Sequence, residues 1–186
     1  VKSLRRGHAE HLVKFVIYCL LIKCINEITN TCNMHCSFCH GTSRQSKSMT
    51  LGEFARITGN LKGITEYLYL HVLGEPLTHP MLPTFIEYAT KSGFKVAITT
   101  NGTLLDKLGD ALILCKTYKV NISLHSFEKI SAPENHKAYI NSCLEFAEKA
   151  SQSGVLCVLR LWNREENQSE DQKNLNDITL QLIKEH

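Results

Sequence analysis

The chain has 186 residues, 43% of them hydrophobic and 21% charged, and carries a net charge of +3 with neutral histidines. That length and composition suit one domain with a core of its own and exclude a disordered or fibrous chain. Only Lys2, Arg5 and Arg6 cluster among the basic residues, so no basic stripe marks a nucleic-acid surface.

Residues 1–21 read as an N-terminal extension ahead of a core domain spanning 22–186. Within the extension, Lys2 to Arg6 and the apolar run Phe15 to Ile22 imitate the basic and apolar regions of a signal peptide. No small-residue cleavage site follows, and the run, interrupted by Lys14 and Lys23, is too short to cross a membrane. An initial helix or strand lying on the core is the expectation, with Ile22 to Ile28 as the first strand.

Next comes Thr31-Cys32-Asn33-Met34-His35-Cys36-Ser37-Phe38-Cys39-His40. Three thiols on one short loop can hold three corners of an iron–sulfur cube and leave the fourth iron without a protein ligand. A closed zinc site completed by His35 or His40 is the rival reading. The chain has 8 cysteines. Cys19, Cys24, Cys115, Cys143 and Cys157 lie in apolar or periodic segments and read as buried thiols rather than a disulfide framework. So many free thiols imply a reducing compartment, the cytoplasm.

Past the loop, strand-like and helix-like blocks alternate. Thr50 opens a helix to about Leu61, with Glu53 at the capping-box distance. A strand over Glu66 to Leu73 is broken by Gly74-Glu75-Pro76. A helix over Met81 to Ser92 is closed by Gly93, and the strand Phe94 to Thr100 stops at Asn101-Gly102. A helix over 104–118, a strand over Val120 to Leu124 and a helix over His136 to Ser153 follow. The strand Val155 to Trp162, a polar surface loop over Asn163 to Asn174 and a helix over Leu175 to Lys184 complete the series.

Five strands each followed by a helix predict an α/β fold with a parallel sheet, a partial (β/α) barrel of the TIM type if the sheet curls. Chemistry in such folds sits at the carboxyl ends of the strands. The cysteine loop, Gly74-Glu75-Pro76, Asn101-Gly102, and Ser123 with His125 all fall there. His71, His79 and His125, at or just past strand ends, are placed to line a substrate pocket or move protons, with a structural role as the alternative.

Together these residues resemble the radical S-adenosylmethionine (SAM) superfamily. The resemblance is carried by Cys32-x3-Cys36-x2-Cys39 with Phe38 before the last cysteine, by Gly74-Glu75-Pro76 and by Thr100-Asn101-Gly102, and it extends over about residues 22 to 162. It implies a 4Fe–4S cluster on Cys32, Cys36 and Cys39, and a SAM site formed by Phe38, Gly74, Glu75, Pro76, Asn101 and Ser123. Arg160 could fork onto the SAM carboxylate or serve as a surface arginine. The implied activity is reductive cleavage of SAM to a 5′-deoxyadenosyl radical that takes hydrogen from an unidentified substrate. A flavodoxin or ferredoxin would donate the electron. The family core is built from six βα units, of which five are legible here, so a non-catalytic metal-binding or interaction module is the second reading. An exposed last strand would invite self-association.

Overall fold

The structure, a computed structural model, describes residues 23–125, 133–161 and 170–186. The expected extension over residues 1–21, the residue Trp162 and residues 163–169 of the expected loop lie outside the described residues. Five strands run in the order β1 (Lys23–Ile25), β2 (Tyr67–Leu70), β3 (Lys95–Thr100), β4 (Lys119–Ser123) and β5 (Leu156–Arg160). Each pairs in parallel with the next, and the sheet order is the chain order. The connecting helices are α1 (Leu51–Leu61), α2 (Leu82–Lys91), α3 (Leu105–Leu114) and α4 (Pro133–Gln152), with α5 (Glu170–Glu185) after β5.

Stepwise order with right-handed crossovers puts the helices on one face of the sheet. Alternation along the strands agrees. Leu68, Leu70, Val96, Ile98, Val120 and Ile122 point into the core and are fully buried. The opposite face carries Ile25, Tyr69, Thr99, Leu156 and Val158, which keep part of their surface exposed. Such a sheet is an arc of a (β/α) barrel, with a helical exterior and an open inner face.

The helices form where the sequence places their caps. Thr50 accepts from the Glu53 N–H at 3.2 Å while the Glu53 carboxylate accepts from the Thr50 N–H at 2.8 Å, a reciprocal capping box. Phe54 of α1 and Phe85 of α2 are fully buried and stack at 4.4 Å between ring centroids, joining the first two helices.

Boundaries shift where tertiary contacts intervene. The first strand is shorter than the expected Ile22 to Ile28, although Asn26 N–H continues the ladder to Tyr69 O at 2.8 Å. Beyond it the chain leaves the sheet to close the cysteine loop. The last helix starts at Glu170, five residues before the expected Leu175. Its first turn lacks the apolar period that marks a helix, yet Glu170 and Asp171 suit a helix N-terminus. Part of the expected loop is therefore helical.

Candidate functional site

The loop after β1 is closed at its base by a short antiparallel neck. Thr29 pairs with Ser48, and Met49 N–H donates to Ile28 O at 2.8 Å. Asn30 Oδ1 accepts from Lys47 N–H at 2.7 Å and its amide donates to Gln45 O at 3.0 Å. The neck presents residues 32 to 39 as a compact unit at the carboxyl end of the sheet. Cys39 N–H turns back to Cys36 O at 3.2 Å.

All three thiols are unbonded to other cysteines, with Cys32 and Cys39 exposed and Cys36 half-buried. Met34 N–H reaches Cys32 Sγ and Gly41 N–H reaches Cys39 Sγ, each at 3.4 Å. Partial burial raises the Cys32 thiol above its ordinary value; the Met34 N–H opposes that, and nearby Glu75 and Cys39 add to it. The Cys32 thiol, so placed, resists ionisation alone and ionises readily once a multiply charged cation arrives. The donor set therefore suits an iron–sulfur group: three soft thiols and backbone N–H groups already aimed at two of the sulfurs. Among the described residues, no three His, Cys, Asp or Glu side chains are gathered to hold a single metal ion.

Glycine decides how closely β2 approaches this loop. Gly74 has φ +78°, and a Cβ there would stand 2.5 Å from Thr29 O and 2.8 Å from Thr31 O. With no side chain in the way, Glu75 N–H donates to Thr31 O at 2.8 Å and Thr78 Oγ1 donates to the same oxygen at 3.2 Å. Pro76, buried, then opens a short 3-10 turn over Pro76–Thr78.

The Glu75 side chain is only 2% exposed and faces inward. Its carboxylate accepts from Leu77 N–H at 3.0 Å and from Asn101 N–H at 2.7 Å. Burial raises its proton affinity and these hydrogen bonds partly offset that. The carboxylate thus clamps the end of β3 to the end of β2.

Asn101 is the next link. Its amide donates to Asn33 Oδ1 at 2.9 Å, and its Oδ1 accepts from Thr103 N–H at 3.0 Å and from Thr103 Oγ1 at 2.7 Å. Asn33 in turn donates to Thr103 Oγ1 at 2.8 Å. From α4, Tyr139 OH donates to Asn101 O at 2.7 Å. Gly102, φ +78°, leaves room for Tyr139 and Cys143 behind it. Burial pushes the Tyr139 hydroxyl up and the Cys143 thiol up to about 12, so both stay protonated at neutral pH.

Phe38 connects the loop to the other side of the rim. Its ring lies 5.2 Å from the His125 ring, and His125 Nδ1 is 3.3 Å from Arg160 O. Donation to that carbonyl places a proton on Nδ1. Ser123, buried at the end of β4, is in register with Arg160, which is exposed at the end of β5. His71, half-buried at the end of β2, is held below its ordinary basicity by burial and by Arg160.

Every predicted site residue therefore lies at one rim. Cys32, Gly74, Glu75 and Asn101 are joined through neighbouring atoms, Phe38 reaches β4 and β5 through His125, and Ser123 and Arg160 stand beside each other. His79 departs from the expectation of a pocket-lining or proton-moving residue. It is 4% exposed, Nε2 donates to Met49 O at 2.9 Å and Nδ1 accepts from Met81 N–H at 3.1 Å. Both nitrogens are used to pin the start of α2 to Met49, two residues ahead of α1. Asn33, Thr103 and Tyr139 escaped the sequence reading. The turn residues Asn101-Gly102-Thr103 hinted at one of them, but nothing local marks Asn33 or Tyr139.

A cavity of about 470 Å³ at the opposite, amino end of β2 and β3, lined by Lys62, Gly63, Tyr67 and Phe94, contains none of these residues. A second, of about 380 Å³, lies beside the rim between Gly102, Thr103, Asp106, Ala138, Tyr139 and Ser142.

Known proteins resemble this chain in sequence or in fold. The GTP 3′,8-cyclase of Chlorobaculum tepidum is 32% identical over 106 residues, covering 55% of this chain and 32% of that protein. The S-adenosylmethionine-dependent nucleotide dehydratase of Selenomonas ruminantium is 33% identical over 103 residues, covering 53% of this chain and 37% of that protein. The chain thus spans about a third of the length of these relatives. Streptococcus suis SuiB bound to S-adenosylmethionine has the same fold, with a TM-score of 0.64 at 19% identity over 96% of this chain and 43% of SuiB. BtrN in complex with AdoMet and 2-DOIA gives a TM-score of 0.58 at 18% identity over 75% of this chain and 57% of BtrN. The Radical SAM superfamily description matches residues 26–173. By that match the chain belongs to the radical SAM superfamily, whose members use a 4Fe–4S cluster and S-adenosylmethionine.

Proposed function

We propose that this chain is the core of a radical SAM enzyme, with residues 22–186 as the core and 1–21 as an extension. Cys32, Cys36 and Cys39 hold a 4Fe–4S cluster, which supplies the electron that cleaves SAM to methionine and a 5′-deoxyadenosyl radical. The observation that carries this reading is the linkage of the cysteine loop, through Thr31, Glu75 and Asn101, to the ends of the next two strands.

The rim formed by Phe38, Gly74, Glu75, Pro76, Asn101, Ser123 and Arg160 holds SAM. Strand-end carbonyls after β2 accept from its ammonium group, Phe38 lies against its adenine, and the Arg160 guanidinium takes its carboxylate. Glu75 and Asn101, whose polar atoms are engaged within the protein, shape the rim rather than reach into it. The radical then takes hydrogen from a substrate on the open face of the sheet. Two relatives are named for chemistry on nucleotides, which makes GTP the first substrate to try. A flavodoxin or ferredoxin donates the electron, in the reducing cytoplasm.

The test is anaerobic reconstitution with iron and sulfide, reduction with dithionite, and assay of 5′-deoxyadenosine from SAM, with and without GTP. The full chain is expected to form the product, and Cys36→Ala to lose both cluster absorption and product. Cluster absorption without 5′-deoxyadenosine would point instead to the non-catalytic module.

A further inference from the structure

Arg44, Lys47 and Arg56 are dispersed in the sequence, yet the fold gathers them around one cavity of about 390 Å³ beside the neck of the cysteine loop. Arg44 and Lys47 stand on the exposed arm that runs back from Cys39, and Arg56 lines the same cavity from α1. Two acids lie among them, but deeper. Arg44 Nη2 pairs with Glu27 Oε1 at 2.6 Å and Lys47 Nζ with Glu53 Oε1 at 2.9 Å. The second oxygen of each acid is drawn inward by the main chain. Glu27 Oε2 accepts from Leu73 N–H at 3.4 Å and Glu53 Oε2 from Thr50 N–H at 2.8 Å. The side chains of Arg44 and Lys47 are accordingly 57% and 71% exposed, against 18% and 36% for Glu27 and Glu53. Arg56 is exposed and has no ion-pair partner among the described residues. The outward surface is thus positive. It is tied to the residue before Cys32 by the bond between Thr31 Oγ1 and Ser46 Oγ at 2.6 Å.

We propose that this surface docks a small acidic one-electron carrier of the flavodoxin kind and seats it against the cysteine loop. This rests on the cluster reading given above, in which each reductive cleavage of SAM consumes one electron. The carrier is oxidised by one electron and the cluster reduced by one, and no bond or proton need move between the two proteins. Position favours this face: Cys32 and Cys39 are exposed on the same loop. The inner face, assigned above to the substrate, lies on the other side of the sheet from α1, whose Phe54 is in the core. Opposite charges raise encounter rates by about 10- to 1,000-fold and lose that effect in salt. They set on-rate and register more than affinity, which suits a partner that must leave after each electron.

The test uses the reconstituted full chain, Arg56→Glu, Lys47→Gln and, as a control for net charge, Lys91→Glu. Lys91 ends α2 and leads into the amino end of β3, away from the loop. Cluster reduction by excess reduced flavodoxin is followed by stopped-flow absorbance, with dithionite as a small reductant in parallel. Binding of oxidised flavodoxin is measured by biolayer interferometry. At about 0.05 M salt, Arg56→Glu is expected to slow reduction by flavodoxin about 10-fold and Lys47→Gln by less, with binding weakened in the same order. Reduction by dithionite, and both reactions of Lys91→Glu, stay close to those of the unaltered chain. Raising salt to about 0.5 M slows the unaltered chain with flavodoxin and brings Arg56→Glu level with it. Flavodoxin rates indifferent to salt and to Arg56→Glu overturn the proposal. Equal slowing in Lys91→Glu, or equal slowing with dithionite in Arg56→Glu, overturns it too, because net charge or a disturbed loop then accounts for the effect. An unaltered chain that forms no cluster reducible by dithionite overturns the cluster reading itself, and this proposal with it.

Discussion

At Gly74 the main chain adopts a left-handed conformation within contact distance of the neck of the cysteine loop. Alanine there meets two barriers, the backbone conformation and a Cβ placed 2.5 Å from Thr29 O. Gly74→Ala should lower folding stability by about 2–3 kcal/mol, measured by denaturant unfolding. The same change pushes the loop from the sheet, so iron uptake on reconstitution should fall as well. Glu75 makes a different demand: both its oxygens face N–H donors. Glutamine turns one of those oxygens into a donor and sets it against a buried N–H. Glu75→Gln is therefore expected to cost about 1–3 kcal/mol despite its matched shape; a cost near zero in urea unfolding would contradict the clamp.

Between elements, the last two helices meet through a titratable contact. His136 of α4 is 3% exposed, and its Nε2 lies 3.0 Å from Thr179 Oγ1 of α5. Burial holds its imidazole below the ordinary value of 6.5. Below that pH the unfolded chain takes up a proton that the folded chain resists, so the stabilising contribution is present above it and is lost as pH falls. Melting followed by circular dichroism should show a falling midpoint from about pH 7.5 to 5.5, and a flatter profile in His136→Gln. His79 is also buried, but its two nitrogens are committed to backbone partners on either side of it. Their surroundings separate a helix pin from a helix-to-helix contact.

Across the whole molecule, β2, β3 and β4 are paired on both sides, whereas β1 and β5 are the outer strands among the described residues. β5 shows a half-buried or exposed side chain at every position, while Val120 to Ser123 of β4 are all buried. Amide hydrogens of β3 should therefore exchange with solvent slowest and those of β5 markedly faster, read by hydrogen-exchange mass spectrometry. Equal protection in the two strands would mean that β5 has a further partner.

The alternation of apolar strands with capped helices, the breaks at Gly74 and Gly102, and three cysteines at loop spacing are local patterns. Each can be read from a window of a few residues, so the chain's own order determined the fold class and marked three cysteines as candidate cluster ligands. The strand-end rule then located the rim. What the sequence left open is which polar groups meet there. Glu75 and Asn101 are 26 residues apart, and Asn33 and Asn101 are 68 apart. Their hydrogen bonds exist only because parallel register brings three strand ends level and two glycines let the backbones touch. Sequence spacing carries no record of such distances, so the roles of Glu75 as a clamp, Asn101 as a hub and His79 as a pin were decided by tertiary structure.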